Sequence, residues 1–142
     1  MALASGTAAT ELGLPVAGTT AIDTLVPLAL DIRPSGEDIT FGGVSHFDIT
    51  TGQDGITGVA VEPASSSVWS AISTELRARA SAWGWSDADL ATFGDQVGAA
   101  ARDEGVASTV SLPAVASGGL TITAAVNVTD GGSLQLVYTL TR

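Results

Sequence analysis

His46 is the chain's single histidine, and its imidazole is the side chain best suited to proton transfer near neutral pH. It sits in Val44-Ser45-His46-Phe47-Asp48-Ile49-Thr50, where apolar Phe47 and Ile49 alternate with His46, Asp48 and Thr50. A strand with that alternation puts imidazole and carboxylate on one face. A carboxylate beside an imidazole can orient it as a general base, and Ser45 is adjacent in sequence. Period two aims Ser45 at the opposite face, however, so these three side chains cannot form a nucleophilic triad. No G-x-S-x-G segment presents another serine on a strained turn. The spacing predicts a structural His46 on a polar strand face, with a small enzyme using His46 and Asp48 as one alternative.

Other chemistry has less to stand on. Glu37, Asp38, Asp48, Asp54 and Glu62 fall near the ends of apolar runs, where turns can gather carboxylates around a hard cation. Their spacing does not reproduce the twelve-residue calcium loop. One histidine and no cysteine leave no zinc set, and solvated turn carboxylates are the expectation, with no metal and no cofactor. Gly42-Gly43 and Gly52–Gly55 lack the lysine and the spacing of a phosphate cradle. The five cations, all arginines, against fifteen acidic residues give a net charge of −10, which excludes a phosphate-binding nucleic-acid surface. Such a charge keeps a chain soluble. Leu12–Val16 and Leu25–Leu30 are short and interrupted by Pro15 and Pro27, so neither a membrane span nor a signal peptide is expected. The chain reads as one made in the cytoplasm.

The elements that would position these residues form an α+β design. Residues 1–21 are small, polar and nearly uncharged, with apolar anchors only at Leu3, Leu12, Leu14 and Val16. They read as an extended N-terminal arm that cannot bury enough surface to order itself. Residues 22–142 read as a single domain. From Thr24 to Glu62, apolar runs alternate with turn residues, which predicts a meander: Leu25–Ile32, Asp38–Phe41, Val44–Thr50 and Ile56–Val61. Pro27 marks the first of these as an edge strand.

A helical pair is predicted at about 67–104. Ser65-Ser66-Ser67 offer caps, and Trp69, Ile72, Leu76, Ala80 and Trp83 form a stripe at three- and four-residue spacing. Gly84 breaks the helix, and Ser86–Asp89 restarts it with a cap and two carboxylates in the first turn. Leu90, Phe93 and Val97 continue an apolar face, Gly94, Gly98 and Ala101 permit close packing, and Gly105 is the expected C-cap. Trp69 and Trp83 belong to the core, while Trp85 lies off the stripe, either buried against the sheet or an exposed anchor for a partner.

Ala107–Leu112 follows as a strand, and the chain ends in the strongest local signal it has. Gly119–Thr129 and Ser133–Arg142 alternate around Asp130-Gly131-Gly132, a hairpin with Leu120, Ile122, Ala124, Val126 and Val128 facing Leu134, Leu136, Tyr138 and Leu140. Its other face carries Thr121, Thr123, Thr139 and Thr141, suited to a sheet and poorly suited to chemistry. An antiparallel or mixed sheet covered by the αα-hairpin is the simplest assembly of these parts.

An arm, a β-rich body at Thr24–Glu62, a helical insert and the terminal hairpin Gly119–Arg142 together resemble small structural proteins of tailed bacteriophages: head decoration, neck or tail-completion, and tail proteins. The resemblance implies a virion component that assembles by non-covalent packing, although the helical pair is longer than a tail-tube subunit would carry. The expected function is thus a non-enzymatic structural subunit, a homo-oligomer or a partner of other structural proteins in a larger particle. Its candidate contact residues are Leu3, Leu12, Leu14, Val16, Trp85, Thr121, Thr123, Thr139 and Thr141. A monomeric protein- or ligand-binding module is the first alternative, and the small enzyme using His46 and Asp48 the second.

Overall fold

The computed structural model describes residues 17–33, 38–53, 55–63 and 67–142. They form seven strands and two helices: β1 (Gly18–Ile32), β2 (Ile39–Gly52), β3 (Gly55–Glu62), α1 (Trp69–Trp83), α2 (Asp87–Arg102), β4 (Ser108–Ser111), β5 (Val115–Ser117), β6 (Leu120–Val128) and β7 (Leu134–Thr141). The sheet runs β1-β2-β3-β7-β6-β4, with β5 paired to β6. The α+β class follows directly from this content. No helix among the described residues is long and apolar enough to cross a membrane. The anchors Leu3, Leu12, Leu14 and Val16 lie outside the described residues, as do Glu37, Asp54, Ser65 and Ser66.

The chain divides into two compact units. The first holds β1–β3 with residues 120–122 of β6 and 139–141 of β7. Here β1 is the outermost strand, as Pro27 indicated, but it starts earlier than the arm boundary allows. Gly18 to Ala21 pair with Thr51 to Asp48, so the last residues assigned to the arm are strand. The pairing is broken twice. Asp23 faces His46 and Leu28 faces Val44, so residues 24–27 of β1 bulge out opposite Ser45 alone. Pro27, which has no N–H to give a ladder, sits inside that bulge.

Farther along, Leu30 faces Phe41, so Ala29 opposes both Gly42 and Gly43. Gly42-Gly43 had the composition of a turn between two short strands. It is instead a bulge within one fourteen-residue strand, with Gly43 at φ +64°. The unit's core is Leu30, Ile32, Phe41, Phe47, Ile49, Val59 and Val61, all buried. The β3 strand carries Gly58 where a Cβ would come within 3.2 Å of Thr141 Cγ2, and Arg142 N–H donates to Thr57 O at 3.0 Å.

The second unit holds both helices, β4 and the remainder of β6 and β7. The α1 stripe buries Ile72, Leu76, Ala80 and Trp83. Its N-cap is Val68, without a side-chain bond, so the serine cap expected there is not the one used. At Ser86 the expected cap forms in full. The Ser86 hydroxyl accepts from Asp89 N–H at 3.1 Å while the Asp89 carboxylate accepts from Ser86 N–H at 2.8 Å. That exchange holds the Asp89 carboxyl below its usual range.

Helix α2 ends at Asp103 rather than Gly105, whose N–H donates instead to Asp130 O at 3.1 Å beside the β6–β7 turn. Gly94 is the close approach between the helices: a Cβ there would lie 3.3 Å from the Trp69 ring. Gly98 serves no such contact, since only the side chain of Arg102 comes near it. The β6–β7 hairpin matches its sequence pattern, closed by Thr129 N–H to Ser133 O at 2.9 Å.

Two substitutions test these local causes. Ser86→Ala removes half of the reciprocal cap and should cost about 1 kcal/mol in urea unfolding. Gly43→Val forces a β-branched side chain into the left-handed region and should cost about 1–2 kcal/mol, a loss that an Ala replacement at exposed Gly42 would not share.

Candidate functional site

His46 lies on the outward face of the first unit, where three strands converge. Register sets Asp23 of β1 and Glu62 of β3 directly opposite it on either side, and Asp48 follows two residues along β2 on the same face. The imidazole Nδ1–H donates to Asp23 Oδ1 at 2.7 Å, and Nε2 stands 3.5 Å from Asp48 Oδ1. His46 and Asp48 were placed together by their alternation. Asp23 was missed because residues up to Ala21 read as arm, which hid that Ala21 and Asp23 alternate with Thr20 and Ile22 as strand residues do.

The hydrogen bond to Asp23 is the largest cause of a raised His46 pKa, above the ordinary 6.5. Glu62 and Asp48 add to it, and partial burial opposes it. The imidazolium is therefore the form this face favours. A general base at neutral pH must be unprotonated and must reach its substrate. Here both ring nitrogens face carboxylates, and the side chain is 33% exposed on an open sheet face. Ser45 is exposed at the irregularity where β1 bulges, with buried Val44 before it, and among the described residues no group of three or more His, Cys, Asp or Glu is placed to hold a metal ion. The arrangement positions charge.

Cavities form elsewhere, lined by residues of the second unit. The largest described, about 630 Å³, lies along α1 and α2 and is lined by Trp69, Leu76, Arg77, Asp87, Leu90 and Phe93 among others. The half-exposed Trp69 ring, tilted 39° to Phe93 at 6.2 Å, gives it an aromatic wall. Neighbouring polar chemistry in this unit is structural. Burial, with Glu75 adding to it and Arg79 opposing it, holds the Tyr138 hydroxyl pKa well above the ordinary value, and Arg79 pairs with Glu75 while stacking over Trp83 and Tyr138.

The surface residues anticipated for contact separate into two groups. Trp85 is not an exposed anchor: it is 5% exposed, set edge-on to Trp83 at 5.5 Å, with Nε1–H donating to Pro113 O at 2.8 Å. The inter-helix turn is short enough to fold its ring inward. Thr121 and Thr141 are exposed and Thr123 and Thr139 half-buried on the polar face of β6 and β7, as their alternation required. Sequence reasoning passed over the most exposed apolar group among the described residues. Leu25 at 105%, Val26 at 72% and Leu28 at 37% exposure stand on the β1 bulge, within the run that Pro27 marked only as an edge strand.

If the Asp23 hydrogen bond is the main cause of the raised His46 pKa, Asp23→Asn should bring the imidazole back toward 6.5 in an NMR titration of its ring resonances. Asp48→Asn should move it less. An unchanged value in Asp23→Asn would remove Asp23 as the cause.

No protein-family model matches this chain, and neither a curated protein nor a solved structure is similar to it.

Proposed function

We propose that this chain is a non-enzymatic structural subunit that works by protein–protein assembly, its nearest partner a second copy of itself. The observation that carries this reading is the outermost strand. An edge strand exposes unpaired backbone N–H and C=O groups, and proteins normally blunt such edges with charge or cover. The β1 bulge does the reverse, turning Leu25 fully and Val26 largely to solvent beside Pro27, with Leu28 partly exposed after it. Adjacent exposed aliphatic side chains on an edge are what a partner surface covers.

Three further features support the reading. The polar face of β6 and β7 is uncharged and rich in threonine, so a second surface can approach it without stranding a buried charge. The −10 net charge opposes indiscriminate association and leaves the apolar bulge as the favoured contact. The resemblance to decoration, neck and tail proteins of tailed bacteriophages would make such a subunit a virion component.

The α1–α2 cavity favours a second reading, a monomeric ligand-binding module with Trp69 as its aromatic wall. Sedimentation separates the two. The assembly reading expects concentration-dependent oligomers that Leu25→Asp with Val26→Asp weakens by roughly 100-fold, as losing two central apolar contacts does. A wild-type chain that stays monomeric over a wide concentration range overturns it.

A further inference from the structure

We propose that His46, Asp23, Asp48 and Glu62 form a proton-operated latch that fastens the edge strand β1 to its neighbours and thereby controls the bulge presenting Leu25 and Val26. The latch is a property of the first unit alone. Its consequence for assembly rests on the reading given above.

The geometry points to this role because the four groups come from three adjacent strands and meet at one imidazole. Asp23, His46 and Glu62 form a single row across β1, β2 and β3, and Asp48 flanks the row along β2. Asp23 is also the last paired residue of β1 before residues 24–27 leave the ladder. The root of the bulge is held there by the 2.7 Å bond from His46 and by two longer bonds from Thr24 Oγ1, at 3.4 Å to Val44 O and 3.5 Å to Ser45 O. As the outermost strand, β1 has β2 as its one neighbour in the sheet among the described residues, so it bears the cost when this fastening weakens.

Protonation decides how the row is balanced. As imidazolium, His46 turns an N–H toward Asp23 and another toward Asp48 and offsets part of the negative charge of three carboxylates. As neutral imidazole it keeps the Nδ1–H to Asp23 but turns a lone pair toward Asp48, and the three carboxylates then repel one another across the strands. The charged groups acting on the ring are these three carboxylates, with no cation among them. Because the folded-state pKa of His46 is raised, the stabilisation is fully present below the unfolded value near 6.5 and is lost as pH climbs through the folded value. Bulge and edge are thus held at mildly acidic pH and loosened above it.

Amide hydrogen exchange of residues 19–23, corrected for the intrinsic pH dependence, tests the latch in the full chain between about pH 6 and pH 8.5, a range spanning the histidine titration. The expected result is a loss of protection of roughly threefold or more on going to high pH in the wild type, and a flat profile in His46→Gln. Asp23→Asn, whose side chain is largely exposed and so should fold if His46→Gln does not, should also flatten the profile. A wild-type profile without change, or the same change in both variants, overturns the proposal. Sedimentation of the same samples keeps the two readings apart. A monomer whose β1 protection still switches with pH upholds the latch and refutes assembly, while an oligomer with flat protection does the opposite.

Discussion

Every second side chain of β6 from Leu120 to Val128, and of β7 from Leu136 to Leu140, is buried, and these two strands run through both compact units. That periodic burial constrains the rest. A slip of one residue in the hairpin would exchange Ile122, Ala124, Tyr138 and Leu140 for Thr121, Thr123, Thr139 and Thr141, putting hydroxyls in the core and aliphatics in water. The turn bonds between Thr129 and Ser133 guard against it. The β5–β6 pairing and the β4 ladder from Ser108 to Ser111 are built onto this register, as is the contact of Thr141 with Gly58 in β3.

Where periodicity was strong, the sequence could be read directly. The terminal hairpin, both helices, the break at Gly84 and the Ser86–Asp89 box each combine a repeating pattern with a specific terminating residue. Where the same residues serve two geometries, it could not. A glycine pair reads alike as a turn or as a bulge, and only the long-range pairing of β1 with β2 decides for Gly42-Gly43. The segment from Gly18 to Ala21 is too poor in large apolar residues to announce a strand. It is one because Thr51 to Asp48 lie beside it. Strand β5, three residues long, is below what alternation can reveal.

The candidate site was half legible for the same reason. His46 and Asp48 share a strand, so their common face follows from parity. Asp23 and Glu62 reach that face through neighbouring strands, 23 residues away in the first case. Two local residues thus became a four-residue cluster through cross-strand register alone. Leu25 and Val26 were passed over for a related reason. Pro27 marked their run as an edge strand, but only the pairing of β1 with β2 reveals the bulge that turns them outward. In both cases hydrophobicity fixed what each residue prefers, and pairing fixed where it went.

Trp85 shows what a single indole can join. Its ring meets Trp83, which meets Tyr138 edge-on at 5.4 Å, while its N–H holds the carbonyl of Pro113. The corner between the helices, the link from β4 to β5 and the middle of β7 are therefore stitched at one aromatic knot, although they lie far apart in sequence. Segments tied in this way open as one cooperative piece rather than fraying separately. Within the second unit, the helical pair is thereby tied to the strand residues it contacts rather than hung beside them.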